Sequence, residues 1–214
     1  MILDAGCLLV HLVRQLQIAG PVLDIGCHIG YHAALLAAET GLKVHGVDLS
    51  TQAIAAAAKY AASQAGLRFT TAPLDGTTLP DDHELVYAVR SLPLTPETAS
   101  IVARLLRPGG VAVFFPSEPP DADPASIKEI SSTGLGFAFC DVVGGWEGPG
   151  RSFDAGIAIA FVKDGDRQMP ADIDTQAQDT WNHHFKDFAN SPSTPSDQKT
   201  QAYSRGHWRA EHHV

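Results

Sequence analysis

One stretch limits the folds open to this chain more than any other. It is Val22-Leu23-Asp24-Ile25-Gly26-Cys27-His28-Ile29-Gly30, running on into Tyr31-His32-Ala33-Ala34-Leu35-Leu36-Ala37-Ala38. A short apolar run containing the β-branched Val22 and Ile25 is the pattern of a buried strand. The alanine- and leucine-rich segment has good helix propensity. Between them lies a loop with two glycines, which tolerate positive φ and let a ligand come close to the backbone. Strand, loop and helix in that order bring backbone N–H groups to a helix N-terminus where a ligand can sit. The same order also serves as a plain packing turn in any α/β protein.

A second feature agrees with the first in spacing. Lys43-Val44-His45-Gly46-Val47-Asp48 reads as a strand ending in an acid, about 20 residues past the first glycine. That places a carboxylate at the tip of the neighbouring strand, within reach of the ribose of a nucleoside lying over the loop. Around this pair the chain alternates. Helices are expected over Leu8–Ile18, Tyr31–Glu39, from Ser50, a candidate N-cap, to near Gly66, and from Thr95-Pro96-Glu97 to Leu106. Strands are expected at Leu67–Ala72, Glu84–Val89 and Val111–Phe115, the last entered through the tight turn Arg107-Pro108-Gly109-Gly110. Repeated strand–helix units argue for a parallel sheet covered on both faces. After a short helix over Ala125–Ser132 the rhythm changes. Phe137–Val143 and Ile157–Val162 are joined by a glycine-rich loop holding Trp146, with no helix between them, and should pair antiparallel at the sheet edge.

From residue 165 the chain turns polar, which divides it into a body, 1–164, and an extension, 165–214. Within the extension, Trp181, Phe185 and Phe188 fall on one face of an expected amphipathic helix over Gln176–Ala189. The linker Ser191–Ser196 follows, and then a basic, aromatic arm from Tyr203 to Val214. We expect the extension to help close the body or a homodimer, with a partner-binding helix as the alternative. The formal net charge of −9 argues against nucleic-acid binding, which calls for a basic face. No apolar run approaches the length needed to cross a membrane, and the chain reads as cytoplasmic. Cys7, Cys27 and Cys140 are too few and too scattered for a disulfide framework or a zinc site.

The loop lacks the middle glycine of the nicotinamide fingerprint G-x-G-x-x-G. It resembles instead the D-x-G-x-G-x-G loop of the Rossmann-like class I S-adenosylmethionine-dependent methyltransferases, matched by Asp24, Ile25, Gly26, Cys27 and Gly30. The likeness continues at Val47-Asp48-Leu49-Ser50, at Asp75-Gly76-Thr77-Thr78-Leu79-Pro80 and at Leu105-Leu106-Arg107-Pro108-Gly109-Gly110. It implies an α/β fold, a three-layer arrangement around a seven-stranded sheet of order 3-2-1-4-5-7-6 with strand 7 antiparallel. It also implies S-adenosylmethionine as cofactor, with Asp24, Gly26, Cys27 and Gly30 in the loop and Asp48 on the ribose hydroxyls. Leu49 would pack on adenine, Asp75 and Gly76 would lie at its amino group, and Val89 would stand at the methyl-donor pocket. The likeness covers roughly residues 8–164.

The departure is His28, where the family has glycine. It is a candidate for the chemistry, or a histidine that faces solvent. His32 lies four residues on, which suits a metal pair, but no third ligand is in evidence and no metal is expected. His183, His184, His212 and His213 fall in the polar extension. Arg90, at the end of the fourth strand, is the other catalytic candidate: a guanidinium there would clamp an anionic small-molecule acceptor, or else make a surface ion pair. Tyr31 and Ser91 stand at the same ends. Three functions remain open: a small-molecule methyltransferase, a nicotinamide oxidoreductase, and a non-catalytic scaffold of the same fold.

Overall fold

The protein is described here from a computed structural model, which describes residues 2–73, 78–115, 129–143, 146–148, 151–153, 156–164 and 208–209. Each strand–loop–helix unit forms where the apolar pattern puts it. Strand β1 (Val22–Ile25) leads through the glycine loop to helix α2 (Tyr31–Thr40), which stops at Gly41 in the left-handed region, φ 71°. Strand β2 (Val44–Asp48) leads to α3 (Thr51–Ala61), capped as expected by the Ser50 hydroxyl accepting from the Ala53 amide at 3.1 Å. Strands β3 (Leu67–Thr71) and β4 (His83–Val89) follow, then α4 (Pro96–Leu105). Its N-cap Thr95 forms a reciprocal box with Thr98, and proline opens the helix. Strand β5 takes in the Arg107–Gly110 turn and runs from Leu106 to Phe115.

The first five strands are parallel, in the order β3-β2-β1-β4-β5. Beyond β5 lies β9 (Gly156–Lys163), antiparallel to β5 and to β6 (Leu135–Val143) on its other side. These seven strands give the expected order 3-2-1-4-5-7-6 with the seventh reversed. Two additions were not legible in the sequence. The glycine-rich loop carries a small hairpin, β7 (Trp146–Gly148) with β8 (Arg151–Phe153). Far along the extension, β10 (Trp208–Arg209) pairs antiparallel with Cys140 and Phe139 on β6 and extends the sheet to eight strands. Two residues are too few to show a period. The expected helix over Gln176–Ala189, the first half of that over Ala125–Ser132, and residues Asp75 and Gly76 lie outside the described residues.

Strand alternation divides the core in two. Val22, Val44, Leu85, Tyr87, Val111 and Val113 face α1 (Ile2–Gln15) and α2, with Tyr60 of α3 packed alongside. Leu23, Ile25, Val86, Ala88 and Phe114 face α4 and the helical turn that holds Ile130. The first helix differs in its bounds from the expected Leu8–Ile18. It starts at Ile2, ends at Gln15, and buries Leu8, Leu9, Leu12 and Val13 in the core. Its last turn lies beside that of α2, where Arg14 pairs with Glu39 at 3.2 Å. An apolar stripe that wide is used by the sheet and is not spare for a lid.

The amino-terminal end of the sheet is fastened by Glu84, 2 % exposed. One carboxylate oxygen accepts from the amides of Ala19 and Gly20, at 2.9 and 2.6 Å, and the other pairs with Arg107 at 2.8 Å. The chain entering β1 and the turn entering β5 therefore meet on one side chain of β4. Glu84→Ala should destabilise the protein by about 1–3 kcal/mol for each amide left without a partner. Denaturant unfolding would detect this as a lower midpoint, and an unchanged midpoint would show that water replaces the carboxylate.

Candidate functional site

The carboxyl ends of β1, β2 and β4 converge on the glycine loop, as expected of a crevice in an open α/β sheet. Gly26 has φ +69°, and a Cβ there would fall 2.1 Å from the Cβ of Ser91. Ser91 in turn donates its hydroxyl to the Ile25 carbonyl, so this candidate for the chemistry is engaged in tying β4 to β1. Gly30 has φ +80°, and its Cβ would lie 2.5 Å from Phe69 of β3 and 2.9 Å from Ala57 of α3. Both glycines are required by packing before any ligand is considered.

The loop's amides turn inward to β2. Gly26 and Cys27 both donate to the Val47 carbonyl, at 2.8 and 3.0 Å, and His28 donates to Oδ2 of Asp48 at 2.9 Å. Gly30 donates to the Cys27 carbonyl at 2.8 Å. Amides used in this way do not form the cradle that a pyrophosphate needs. The charge at the site points the same way. Asp48 is half-buried at the end of β2, accepting from His28 through one oxygen and from Ser50 through the other at 2.8 Å. A carboxylate has about four lone-pair sites, so two remain for hydroxyl donors. Asp24 is buried beneath the first turn of α2, in contact with the Ala33 amide. Burial pushes its carboxyl up to about 7, and Asp48 adds to the rise. Two acids at a helix N-terminus take the place an anionic group would occupy and favour a cation.

Apolar side chains complete the mouth. Among the described residues the exposed large ones are Leu49, at 75 %, and Ile29, at 39 %. Leu49 adjoins Asp48 and Ile29 adjoins His28, so a flat apolar ligand group would cover them. Val89 lies half-buried at the end of β4. The Cys27 thiol is buried, and desolvation pushes its pKa far up, which leaves it no thiolate character.

His28 and Arg90, the two residues assigned to chemistry, share an unusual backbone. Both are exposed and both lie in the left-handed region, at φ +49° and +54°. Such a conformation costs about 1–2 kcal/mol in a residue with a side chain. Arg90 is held there by its amide, which donates to the Phe115 carbonyl at 2.7 Å. His28 and His32 do not share a helix face, because α2 begins only at Tyr31. The His32 ring packs edge-on against Tyr31, with centroids 5.7 Å apart. Among the described residues no three metal-binding side chains cluster, and no helix is long and apolar enough to cross a membrane. The sequence reading passed over Tyr87, which stands opposite Asp24 with a fully buried ring. Its signal was a phenol within the otherwise aliphatic run Leu85–Val89.

A model of the family described as "Methyltransferase domain" matches residues 22–110. Among curated proteins the chain is similar to the 2-methyl-6-phytyl-1,4-hydroquinone methyltransferase of Synechocystis sp., 31 % identical over 96 residues. That match takes in 43 % of this chain and only 30 % of the relative's length. Among solved structures, a Haloferax volcanii putative methyltransferase complexed with the Trm112 activator superposes with a TM-score of 0.60 at 16 % identity, covering 72 % of this chain and 90 % of that one. A protein from a study of the conversion of a disulfide bond into a thioacetal group during echinomycin biosynthesis gives 0.58 at 24 %, covering 82 % and 87 %. The geranyl diphosphate C-methyltransferase of Streptomyces coelicolor gives 0.55 at 15 %, covering 71 % and 75 %. At these identities the structural likenesses establish the fold.

The contact between Gly26 and Ser91 yields a specific expectation. Gly26→Ala should cost about 2–4 kcal/mol, combining strain with overpacking. Adding Ser91→Gly should recover the steric part, measured as a coupling energy in a double-mutant cycle. Strictly additive losses would show that the overlap relaxes elsewhere.

Proposed function

Because a model of the methyltransferase-domain family matches residues 22–110, we propose that this protein is an S-adenosylmethionine-dependent methyltransferase acting on a small-molecule acceptor by in-line transfer. The observation that carries this reading is the mouth itself: loop amides spent on β2, the Asp48 carboxylate, and the buried acid Asp24, which an arriving cation would ionise. Such a mouth suits a nucleoside bearing positive charge and opposes the pyrophosphate of a nicotinamide dinucleotide. Asp48 would hold the ribose hydroxyls, and Leu49 the adenine face. Gly26, Cys27 and Gly30 would form the backbone wall, with Val89 beside the methyl donor. Asp75 and Gly76 would reach adenine by the sequence resemblance. When bound, the cofactor supplies an electrophilic methyl group on a sulfonium, so the chain has to align the acceptor and exclude water.

His28 and Arg90 are placed for the acceptor's side of the reaction. They project from the ends of adjacent strands, β1 and β4, into solvent at the mouth. An imidazole there can take a proton from an acceptor that must lose one. A guanidinium there can hold a carboxylate or phosphate through paired N–H groups. A second reading, a non-catalytic scaffold of the same fold, is favoured by the histidine that stands where the family has glycine.

S-adenosylhomocysteine should raise the melting temperature, and nicotinamide dinucleotides should not. Asp48→Ala should weaken S-adenosylhomocysteine binding by about 1.5–3 kcal/mol, the worth of hydrogen bonds to a charged group. Unchanged affinity in calorimetry would place the ribose elsewhere. Arg90→Ala should leave that affinity nearly intact while raising KM for an anionic acceptor. Loss of folding or of nucleoside binding would make Arg90 structural. A protein that binds the nucleoside yet methylates none of a panel of small acceptors would support the scaffold reading.

A further inference from the structure

Two buried polar atoms on the α1–α2 face of the sheet have no hydrogen-bond partner of acceptable geometry: Oδ2 of Asp24 and the hydroxyl of Tyr87. The residues stand directly opposite each other on β1 and β4, and each is 1 % exposed. Buried polar groups are nearly always paired, so two orphans side by side call for an explanation. They lie at the end of the sheet where Gly26, Asp48, His28 and Arg90 meet, directly beneath the mouth.

We propose that Tyr87 is a positioning residue for Asp24, and that the pair couples nucleoside binding to loss of a proton. In the empty protein Asp24 is held neutral. The arriving positive charge ionises it, its proton passes to solvent, and the Tyr87 hydroxyl turns to donate to the new carboxylate. The inference rests on the proposed function, since it takes the ligand to be the cationic nucleoside.

The surroundings of Asp24 fit this assignment. Burial is the largest influence and favours the neutral acid, and Asp48 at the end of β2 adds to it. Tyr87 on β4 and the Ala33 amide on α2 pull the other way, and the balance leaves Asp24 near 7. Cys27 in the loop has its thiol pushed up, partly by Asp24 itself, and stays neutral. Tyr87 is also raised, first by burial and then by Asp24, so it is a donor and never a charge at neutral pH. Among the described side chains, the titratable ones on the helices of this face are His11 and Arg14 of α1, Tyr31, His32 and Glu39 of α2, and Lys59 and Tyr60 of α3. Arg14 and Glu39 pair with each other. A carboxyl tuned close to neutrality responds to one added charge, whereas an exposed aspartate would already be ionised.

The sign of the pH dependence follows. The folded protein holds the Asp24 proton up to about 7, while the unfolded chain loses it near 3.8. The destabilising contribution of Asp24 is therefore complete above that higher value and fades as pH falls between the two. Without ligand, wild type should melt at progressively higher temperature relative to Asp24→Asn as pH is lowered from about 8 to about 6.

The decisive measurement is calorimetric titration with S-adenosylmethionine, whose sulfonium carries the positive charge, near pH 6.5, in buffers of low and high ionisation enthalpy. Wild type should release protons on binding, and Asp24→Asn should release none. Tyr87→Phe removes an unpaired hydroxyl and should fold at least as well. It should weaken binding by about tenfold and move upward the pH at which affinity begins to fall. A merely structural tyrosine would change the melting temperature and leave that midpoint where it is. Binding without proton exchange, or an unmoved midpoint in Tyr87→Phe, overturns the inference and leaves the proposed function standing. Failure of S-adenosylmethionine to bind at all overturns the proposed function, and the inference with it.

Discussion

The Val47 carbonyl and the Asp48 carboxylate, at the tip of β2, hold the whole mouth in place. Between them they take the amides of Gly26, Cys27 and His28. Loops between a strand and a helix are normally where backbone donors go unpaired, because the first turn of the helix has no earlier carbonyls to use. Here the neighbouring parallel strand supplies acceptors for the loop, and Asp24 serves the Ala33 amide in the first turn of α2 from below. The loop is consequently set before any ligand arrives. Preorganisation of this kind lowers the entropy lost on binding and fixes the direction of the groups that remain exposed.

The same arrangement decides what kind of ligand is welcome. Glycine loops that bind phosphates do so with free amides aimed outward. A loop whose amides are consumed, with the Asp48 carboxylate beside it and in Asp24 an acid beneath it that a cation would ionise, presents negative potential instead. Asp24 is the less ordinary of the two, because a fully buried acid is retained only where something offsets its desolvation. Its near neighbours supply part of that offset, and the unmatched oxygen is the remainder. Strain is concentrated here as well. His28 and Arg90 both keep left-handed backbones at adjoining strand ends, while the opposite end of the sheet is fastened by Glu84 and Arg107 with ordinary geometry.

Stability and function are thus separated along the strands. The amino-terminal edge carries a buried carboxylate fully supplied with donors, together with Lys163, whose ammonium donates to the Leu106 carbonyl at 2.5 Å. The carboxyl edge carries groups that are paired only in part. Elements whose polar groups are all satisfied locally have no reason to respond to a ligand. Those left with spare capacity do.

Much of this was written in local sequence. The spacing from Gly26 to Asp48, the caps at Ser50 and Thr95, and the glycine stop at Gly41 act over a few residues, so the helices and the parallel strands could be read directly, while their order came from the family resemblance. A reversed final pair at the edge was legible for the same reason, since no helix lies between those strands. Other features depend on residues far apart in the chain. That α1 is a layer helix against the sheet follows from how many of its side chains the sheet and α2 can bury. That Trp208 and Arg209 join β6 depends on an edge nearly 70 residues earlier in the chain. That Gly26 answers to Ser91 and Asp24 faces Tyr87 depends on the register of β1 against β4. The sequence by itself determined the helices and main strands of the body and which end of the sheet holds the candidate site, because period, caps and turn residues are local. Only the tertiary structure decided which polar groups the site keeps unpaired, because that depends on partners supplied by strands that sequence separates and hydrogen bonding brings together.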